Sequence, residues 1–236
     1  YGLQETPKLL ALLESYFGTA YPYEKLDQIA SPIMGGAMEN AGLITYDDTL
    51  LLLAADAPLS QQRAFGNVTA HELAHQWFGN LVTPRWWDDI WLNESFASWM
   101  GDKVAVQWRP DLGSGPIQLA GALSAMEGDS RAVGRPIMQR ITRNEEVTSA
   151  FDGITYQKGG QVLEMFERFL GEERFRQGVQ AHLKRFPHGT ATSEDFFESI
   201  GGAAGDARIV PAFQSFVAQQ GVPLITLRKE GGGYMV

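Results

Sequence analysis

The residues best suited to chemistry in this chain lie between His71 and Glu94. His71-Glu72-Leu73-Ala74-His75 has the pattern His-Glu-x-x-His. On a helix, residues four apart share one face a turn apart, with β-carbons about 6 Å from each other. Two imidazoles so placed can grip one metal ion, each at roughly 2.0–2.1 Å from a zinc. Glu72 leaves the helix beside that ion, where its carboxylate can take a proton from a metal-bound water. Catalytic zinc usually takes three protein ligands and a water. Glu94 is the candidate for the third ligand: it follows His75 by 19 positions, enough for a turnaround and a second helix that returns a carboxylate to the ion. The expected metal set is therefore His71, His75 and Glu94, holding one Zn2+ per chain. Two of only four histidines fall in this pattern with Glu between them, which argues against a chance match on a buried helix.

The elements that must position these groups can be read around them. The first metal helix is expected over 60–79 and the second over 93–107, joined by a turnaround over 81–89 that contains Pro84. Trp86, Trp87 and Trp91 read as core anchors of the return path. Asp88 and Asp89 either hydrogen-bond a ligating imidazole or sit in solvent. Upstream, 6–17 reads as a helix capped by Thr6, with Pro7 in its first turn and Gly18 as its stop. Residues 21–33 read as loop then strand, and 43–46 and 50–54 as two strands about a turn at Asp47-Asp48-Thr49. Between them, Gly35-Gly36 lets the backbone bend tightly. A strand carrying Gly36 to Asn40 at a sheet edge can pair with an extended peptide, leaving Glu39 as a fixed carboxylate near that peptide's end. A Gly-Gly turn followed by a solvated Glu fits the same spacing.

Downstream, 117–126 looks helical and 127–149 polar and irregular. Helices are expected over 156–170, 173–186, 194–200 and 207–219, with breaks at Gly171, at Pro187-His188-Gly189 and at Gly201-Gly202. Residues 223–228 resemble a strand without an obvious partner. His182 and His188 read as structural or surface residues.

Composition bounds the rest. The 236 residues are 44% hydrophobic and 20% charged, ample for a sizeable core in one large domain or two small ones. A net charge of −9 argues against nucleic acid or an anionic membrane surface as partner and suits a cationic group on a substrate. With no cysteine, disulfides and thiolate metal sites are excluded, so a metal must take nitrogen and oxygen ligands. No run reaches the roughly 18 apolar residues of a membrane span. A soluble protein is expected, cytoplasmic or exported. The chain begins at Tyr1 and reads as a piece of something longer.

Taken together, these residues resemble the zinc aminopeptidases related to aminopeptidase N and leukotriene hydrolase. The resemblance rests on His71-Glu72-x-x-His75 with Glu94, preceded by Gly36-Ala37-Met38-Glu39-Asn40. Tyr23-Glu24-Lys25-Leu26-Asp27, Gly42-Leu43-Ile44-Thr45-Tyr46, Trp91-Leu92-Asn93-Glu94-Ser95-Phe96-Ala97 and Ile154-Thr155-Tyr156-Gln157-Lys158-Gly159 come in the family's order. It implies an α+β, predominantly helical, thermolysin-like catalytic domain over 1–221, with a small mixed sheet within about 1–58 and a mainly helical part over 59–221. Residues 222–236 would then be the start of a following β domain or a tail. It implies His71, His75 and Glu94 as zinc ligands and Glu72 as general base. Tyr156 would be the hydroxyl that stabilises the transition state. Gly36, Ala37, Met38, Glu39 and Asn40 would bind the substrate, Glu39 holding the free α-amino group of a peptide. Ala41 departs from the pattern, since many relatives carry Trp there. Family members are longer, with flanking domains that help close the active site, so this stretch alone is expected to be weakly active or inactive. Two rivals remain at this level. One is an endopeptidase of the thermolysin kind, with an epoxide hydrolase side activity as a weaker variant. The other is a non-catalytic peptide-binding module on the same fold.

Overall fold

A computed structural model describes residues 1–131 and 133–235. Leu9, Leu13, Tyr16 and Phe17 recur at three- and four-residue spacing, and helix α1 (Gly2–Phe17) buries that stripe. It begins earlier than Thr6. Thr6 is not its cap but a buried residue inside it, donating its hydroxyl to Gln28 Oε1 at 2.9 Å. Gly18 ends the helix in the left-handed region, φ 62°, as the sequence suggests.

Strands β1 (Asp27–Ser31), β2 (Ala37–Met38) and β3 (Leu43–Asp47) form a mixed sheet in the order β1-β3-β2. β1 lies parallel to β3, and β2 runs antiparallel to it along the edge. Gly36, at φ 94°, makes the bend into β2. The strand expected over 50–54 is instead the short helix α2 (Asp48–Leu51). Asp47 decides this: its Oδ1 accepts the Thr49 N–H at 2.9 Å, so an aspartate that reads as a turn residue acts as a helix cap.

Helix α3 (Leu59–His75), strand β4 (Val82–Pro84), a 3-10 turn (Trp87–Asp89) and helix α4 (Ile90–Trp108) come next. α3 and α4 pack very closely. A β-carbon on Gly101 would lie 3.1 Å from the Asn67 carbonyl oxygen and the His71 nitrogen, and one on Gly66 would lie 2.3 Å from the Trp108 ring. That approach brings the two halves of the expected metal set to one level.

The remainder is helical: α5 (Ser114–Asp129), α6 (Asn144–Val147), α7 (Gly159–Leu170), α8 (Glu172–Arg185), α9 (Ser193–Ala204) and α10 (Ile209–Ala218). A strand β5 (Gly189–Ala191) pairs in parallel with β4. Gly201-Gly202 does not break α9, which runs on to a left-handed Gly205. A helical glycine costs only about 1 kcal/mol. The Thr192 capping box and the burial of Phe196, Phe197 and Ile200 outweigh it. No strand forms over 223–227. Instead β6 (Arg228–Glu230) and β7 (Gly233–Met235) make a local hairpin, which shares only Arg228 with the expected strand. Val236, the last residue of the expected 222–236 segment, lies outside the described residues. Among the described residues no helix is long and apolar enough to cross a membrane.

The core is aromatic. Phe78 and Phe96 stack at 3.8 Å and Phe166 and Phe213 at 3.6 Å, with Phe17, Trp77, Trp91, Phe175 and Phe196 fully enclosed. His182 lies in this core among the rings of Phe78, Phe186 and Phe196. Its Nδ1 has no hydrogen-bond partner among the described residues, and burial pushes its pKa down to about 4. The unfolded imidazole takes up a proton near pH 6.5. This contribution to stability is therefore whole above that pH and is lost as the pH falls towards the folded value. His182→Phe is expected to spare the fold about 2 kcal/mol of its loss between pH 7 and pH 4.5, read from urea unfolding. Equal acid losses in the two proteins would show that His182 is not the titrating group.

Candidate active site

His71 and His75 lie a turn apart at the end of α3, and Glu94 in the second turn of α4. His71 Nε2 and His75 Nε2 are 3.0 Å apart, and Glu94 Oε2 lies 3.4 Å from the first and 3.6 Å from the second. A tetrahedral ion with bonds of about 2.0–2.1 Å has ligand-to-ligand edges of about 3.3 Å. The three donor atoms therefore fit the face of such a tetrahedron without rearrangement.

The surrounding charge fits a cation as well. Burial alone would lower the His75 pKa, yet Glu94, Glu39 and Glu72 hold it up to about 10. Burial opposes ionisation of Glu94 too, but both imidazoles keep it well below the usual carboxylate range. His71 is pushed down by burial and by the neighbouring His75. Two imidazoles and three carboxylates crowd one point, and a divalent cation balances that surplus of negative charge.

Glu72 is almost fully buried, and its Oε2 has no hydrogen-bond partner among the described residues. Burial, more than the carboxylates of Glu39 and Glu94, raises its pKa to about 8. A buried carboxylate oxygen with no protein partner beside two imidazoles is open to a hydrogen bond from a bound group.

The orienting group is Asn93. His75 Nδ1 lies 3.1 Å from both the Phe78 carbonyl and Asn93 Oδ1. Both are acceptors, so Nδ1 carries a proton and Nε2 is the ring nitrogen turned to the donor cluster. The Asn93 amide nitrogen donates to Glu94 Oε1 at 3.1 Å and to Glu39 Oε1 at 3.3 Å. Gly79, at φ 131°, admits this side chain: a β-carbon there would come within 2.2 Å of Asn93 Oδ1. Neither Asp88 nor Asp89 reaches an imidazole. Asp88 accepts the Ile141 N–H at 2.6 Å, and Asp89 accepts the Ser193 hydroxyl at 2.5 Å, tying the turnaround to its neighbours. The sequence shows Asn93 beside Glu94, but nothing in the spacing shows that it orients the second histidine.

Glu39 Oε1 lies 3.9 Å from His75 Nε2. Its main-chain oxygen accepts from Asn80 Nδ2 at 2.6 Å and Gln76 Nε2 at 3.2 Å, so the segment after β2 is tied to the chain leaving α3. Ala37, Met38 and Glu39 line a cavity of about 520 Å³ together with His71, Glu72, Glu94 and Tyr156. Gly36 and Asn40 are not among its lining residues. The Gly36 carbonyl bonds Asp47 of β3, and the Asn40 carbonyl closes the turn to Leu43. Trp86 and Trp87 are not core anchors. They are 53% and 38% exposed and form part of the cavity wall, while Trp91 alone of the three is buried.

Tyr156 enters the same cavity from a π-helical turn, Ile154–Lys158, that leads into α7. Its ring stacks near His71 with centroids 6.2 Å apart. Burial and the nearby Glu94 raise its pKa far above the ordinary phenol value, so it is a donor rather than a base. The expected helix over 156–170 thus begins as a wider turn, a geometry found often at functional sites.

With this geometry in view, residues 1–217 match the family model described as the peptidase family M1 domain. The chain belongs to this family. It is 39% identical over 233 residues to probable aminopeptidase 1 of Saccharolobus solfataricus, covering 98% of this chain and 30% of that protein. It is 38% identical to the mitochondrial aminopeptidase 2 of Saccharomyces cerevisiae, over 97% of this chain and 24% of the relative. Glutamyl aminopeptidase of Sus scrofa is also 38% identical, over 96% of this chain and 24% of its own length. The chain thus spans less than a third of the relatives it matches. The M1 fold expected from the motifs, predominantly helical with a small mixed sheet, is the one observed.

Proposed function

We propose that this M1 chain is the catalytic region of a zinc aminopeptidase that hydrolyses the first peptide bond of peptides with a free amino terminus. The observation that carries the proposal is a third acid, Glu39, beside the donor triad and Glu72. Glu39 Oε1 stands 3.9 Å from His75 Nε2, on the wall of the same cavity. A zinc peptidase that cuts within chains has no use for an anionic stop at that place. An enzyme that measures from the terminal ammonium needs one, because it fixes which carbonyl reaches the reacting centre.

His71, His75 and Glu94 would hold one zinc ion. When bound, zinc supplies a Lewis acid that polarises the carbonyl and lowers the pKa of a coordinated water towards about 7. Glu72 takes the proton of the attacking water and passes it to the leaving amine. The Tyr156 hydroxyl donates to the oxyanion as charge develops there. Glu39 pairs with the α-ammonium. Ala37, on the edge strand β2, turns its backbone outward, where an extended peptide can pair with it. Residues 1–221 form the catalytic domain in this reading, and 222–236 begin a further β domain or a tail. The lengths of the relatives favour flanking domains as its partners.

The test is to measure bound metal and then compare hydrolysis of free and amino-blocked aminoacyl anilides. One zinc per chain and cleavage confined to the free substrate is the expected result. Equal cleavage of the blocked substrate would favour the endopeptidase reading.

A further inference from the structure

The π-helical turn that carries Tyr156 is gripped from outside the cavity. Arg135, in the connection between α5 and α6, forks onto Asp152, with Nη2 2.5 Å from Oδ1 and Nε 3.2 Å from Oδ2. The same Nη2 donates to Thr155 Oγ1 at 2.8 Å. Nη1 donates to the carbonyls of Pro136 and Ile137 at 3.0 and 3.2 Å, which fixes the guanidinium plane. Asp152 carries the grip into the turn: its Oδ1 accepts the N–H of Ile154 at 2.8 Å and of Thr155 at 3.2 Å, and its carbonyl accepts the Tyr156 N–H at 3.0 Å.

The opposite side is held from α4. Ser95, next to Glu94, donates its hydroxyl to the Thr155 carbonyl at 2.5 Å. Gly159 permits this contact, since a β-carbon there would lie 1.9 Å from Ser95 Oγ. Thr155 is thus fixed on one side by a neighbour of Glu94 and on the other by Arg135. Its own side chain is buried and does not line the cavity. A π turn is an uncommon backbone state that needs such support to persist.

We propose that Arg135 is a positioning residue for Tyr156: by clamping Asp152 and Thr155 it sets the turn so that the hydroxyl faces the donor cluster. This rests on the reading of Tyr156 as the oxyanion donor. Lysine cannot replace it, because one ammonium cannot span both carboxylate oxygens, the Thr155 hydroxyl and two carbonyls at once.

The test uses the zinc-loaded chain as wild type, Arg135→Lys, Tyr156→Phe and the double variant. Zinc content, kcat and KM on an aminoacyl anilide, and affinity for a phosphinic peptide analogue of the tetrahedral state are measured in each. Analogue affinity reports the oxyanion donor even where turnover is slow. Tyr156→Phe is expected to lower kcat roughly 10²-fold with KM little changed. Arg135→Lys is expected to lower kcat and analogue affinity about tenfold, with KM and zinc content unchanged, because a small misplacement acts on the transition state. In the double variant the Arg135 effect should vanish. Asp152→Asn breaks the same fork from its exposed end and should repeat the pattern, which keeps the test decisive if Arg135→Lys does not fold. Losses that multiply with those of Tyr156→Phe, or that fall on KM or zinc content, would overturn the inference while leaving Tyr156 in its role. A Tyr156→Phe variant with wild-type kcat and analogue affinity would instead overturn the reading of Tyr156, and the inference with it.

Discussion

Glu72→Gln is expected to cut turnover roughly 10³-fold while leaving the metal bound. The side chain is almost wholly enclosed, and glutamine keeps its size and one of its oxygens, so packing is preserved. What is lost is the one acid at this point that is both unpaired and outside the donor triad. Glu94 cannot stand in, because both imidazoles hold its charge in place. Glu39 cannot either, because its Oε1 already accepts from the Asn93 amide at 3.3 Å. The measurements are metal per chain by atomic absorption and kcat on a free aminoacyl anilide. Turnover within tenfold of wild type would remove Glu72 from the reaction. Loss of metal along with turnover would show that Glu72 belongs to the ligand set.

How much of the site is legible in the sequence depends on how locally each feature is encoded. The helical relation of His71 to His75 is set by backbone period alone, so both the pair and its shared direction can be read from five residues. Glu94 is legible one step less directly, as a spacing that allows a return. What closes that return is the glycine-mediated approach of α3 and α4 at Gly66 and Gly101, a tertiary fact. Asn93 stands further off: its amide touches His75, Glu94 and Glu39, three segments that meet only in the folded chain. The apolar run after Asp47 has no period of its own, so a single capping hydrogen bond decides between strand and helix. Trp86 and Trp87 mislead because a large aromatic side chain is normally buried, and a cavity wall is where that expectation fails. The π turn at Tyr156 leaves no mark on hydrophobic spacing at all. The residue is found through resemblance, and the bracing that explains its placement only through the contacts of Arg135 and Ser95.

Glu39→Ala isolates the feature that separates an aminopeptidase from its endopeptidase rival. The variant is informative because the main chain at Glu39 is held independently of its carboxylate, by the Asn80 and Gln76 amides at 2.6 and 3.2 Å. Removing the side chain therefore leaves the segment after β2 in place. Because Glu39 lies outside the donor triad, zinc content is expected to be unchanged. An ammonium that loses its buried carboxylate partner typically costs several kcal/mol, so kcat/KM on peptides with a free amino terminus should fall roughly 10²-fold. The same variant should show no loss on an amino-blocked peptide, which never used the anchor. Glu39→Gln separates charge from shape: it restores the volume and the hydrogen bond from Asn93, and it should remain as impaired as alanine if the α-ammonium needs a negative partner. A free-terminus activity that survives Glu39→Ala would leave the acid as one more charge balancing the metal. The triad, with Glu72 beside it, would then be the machinery of a peptidase that does not measure from the end of its substrate.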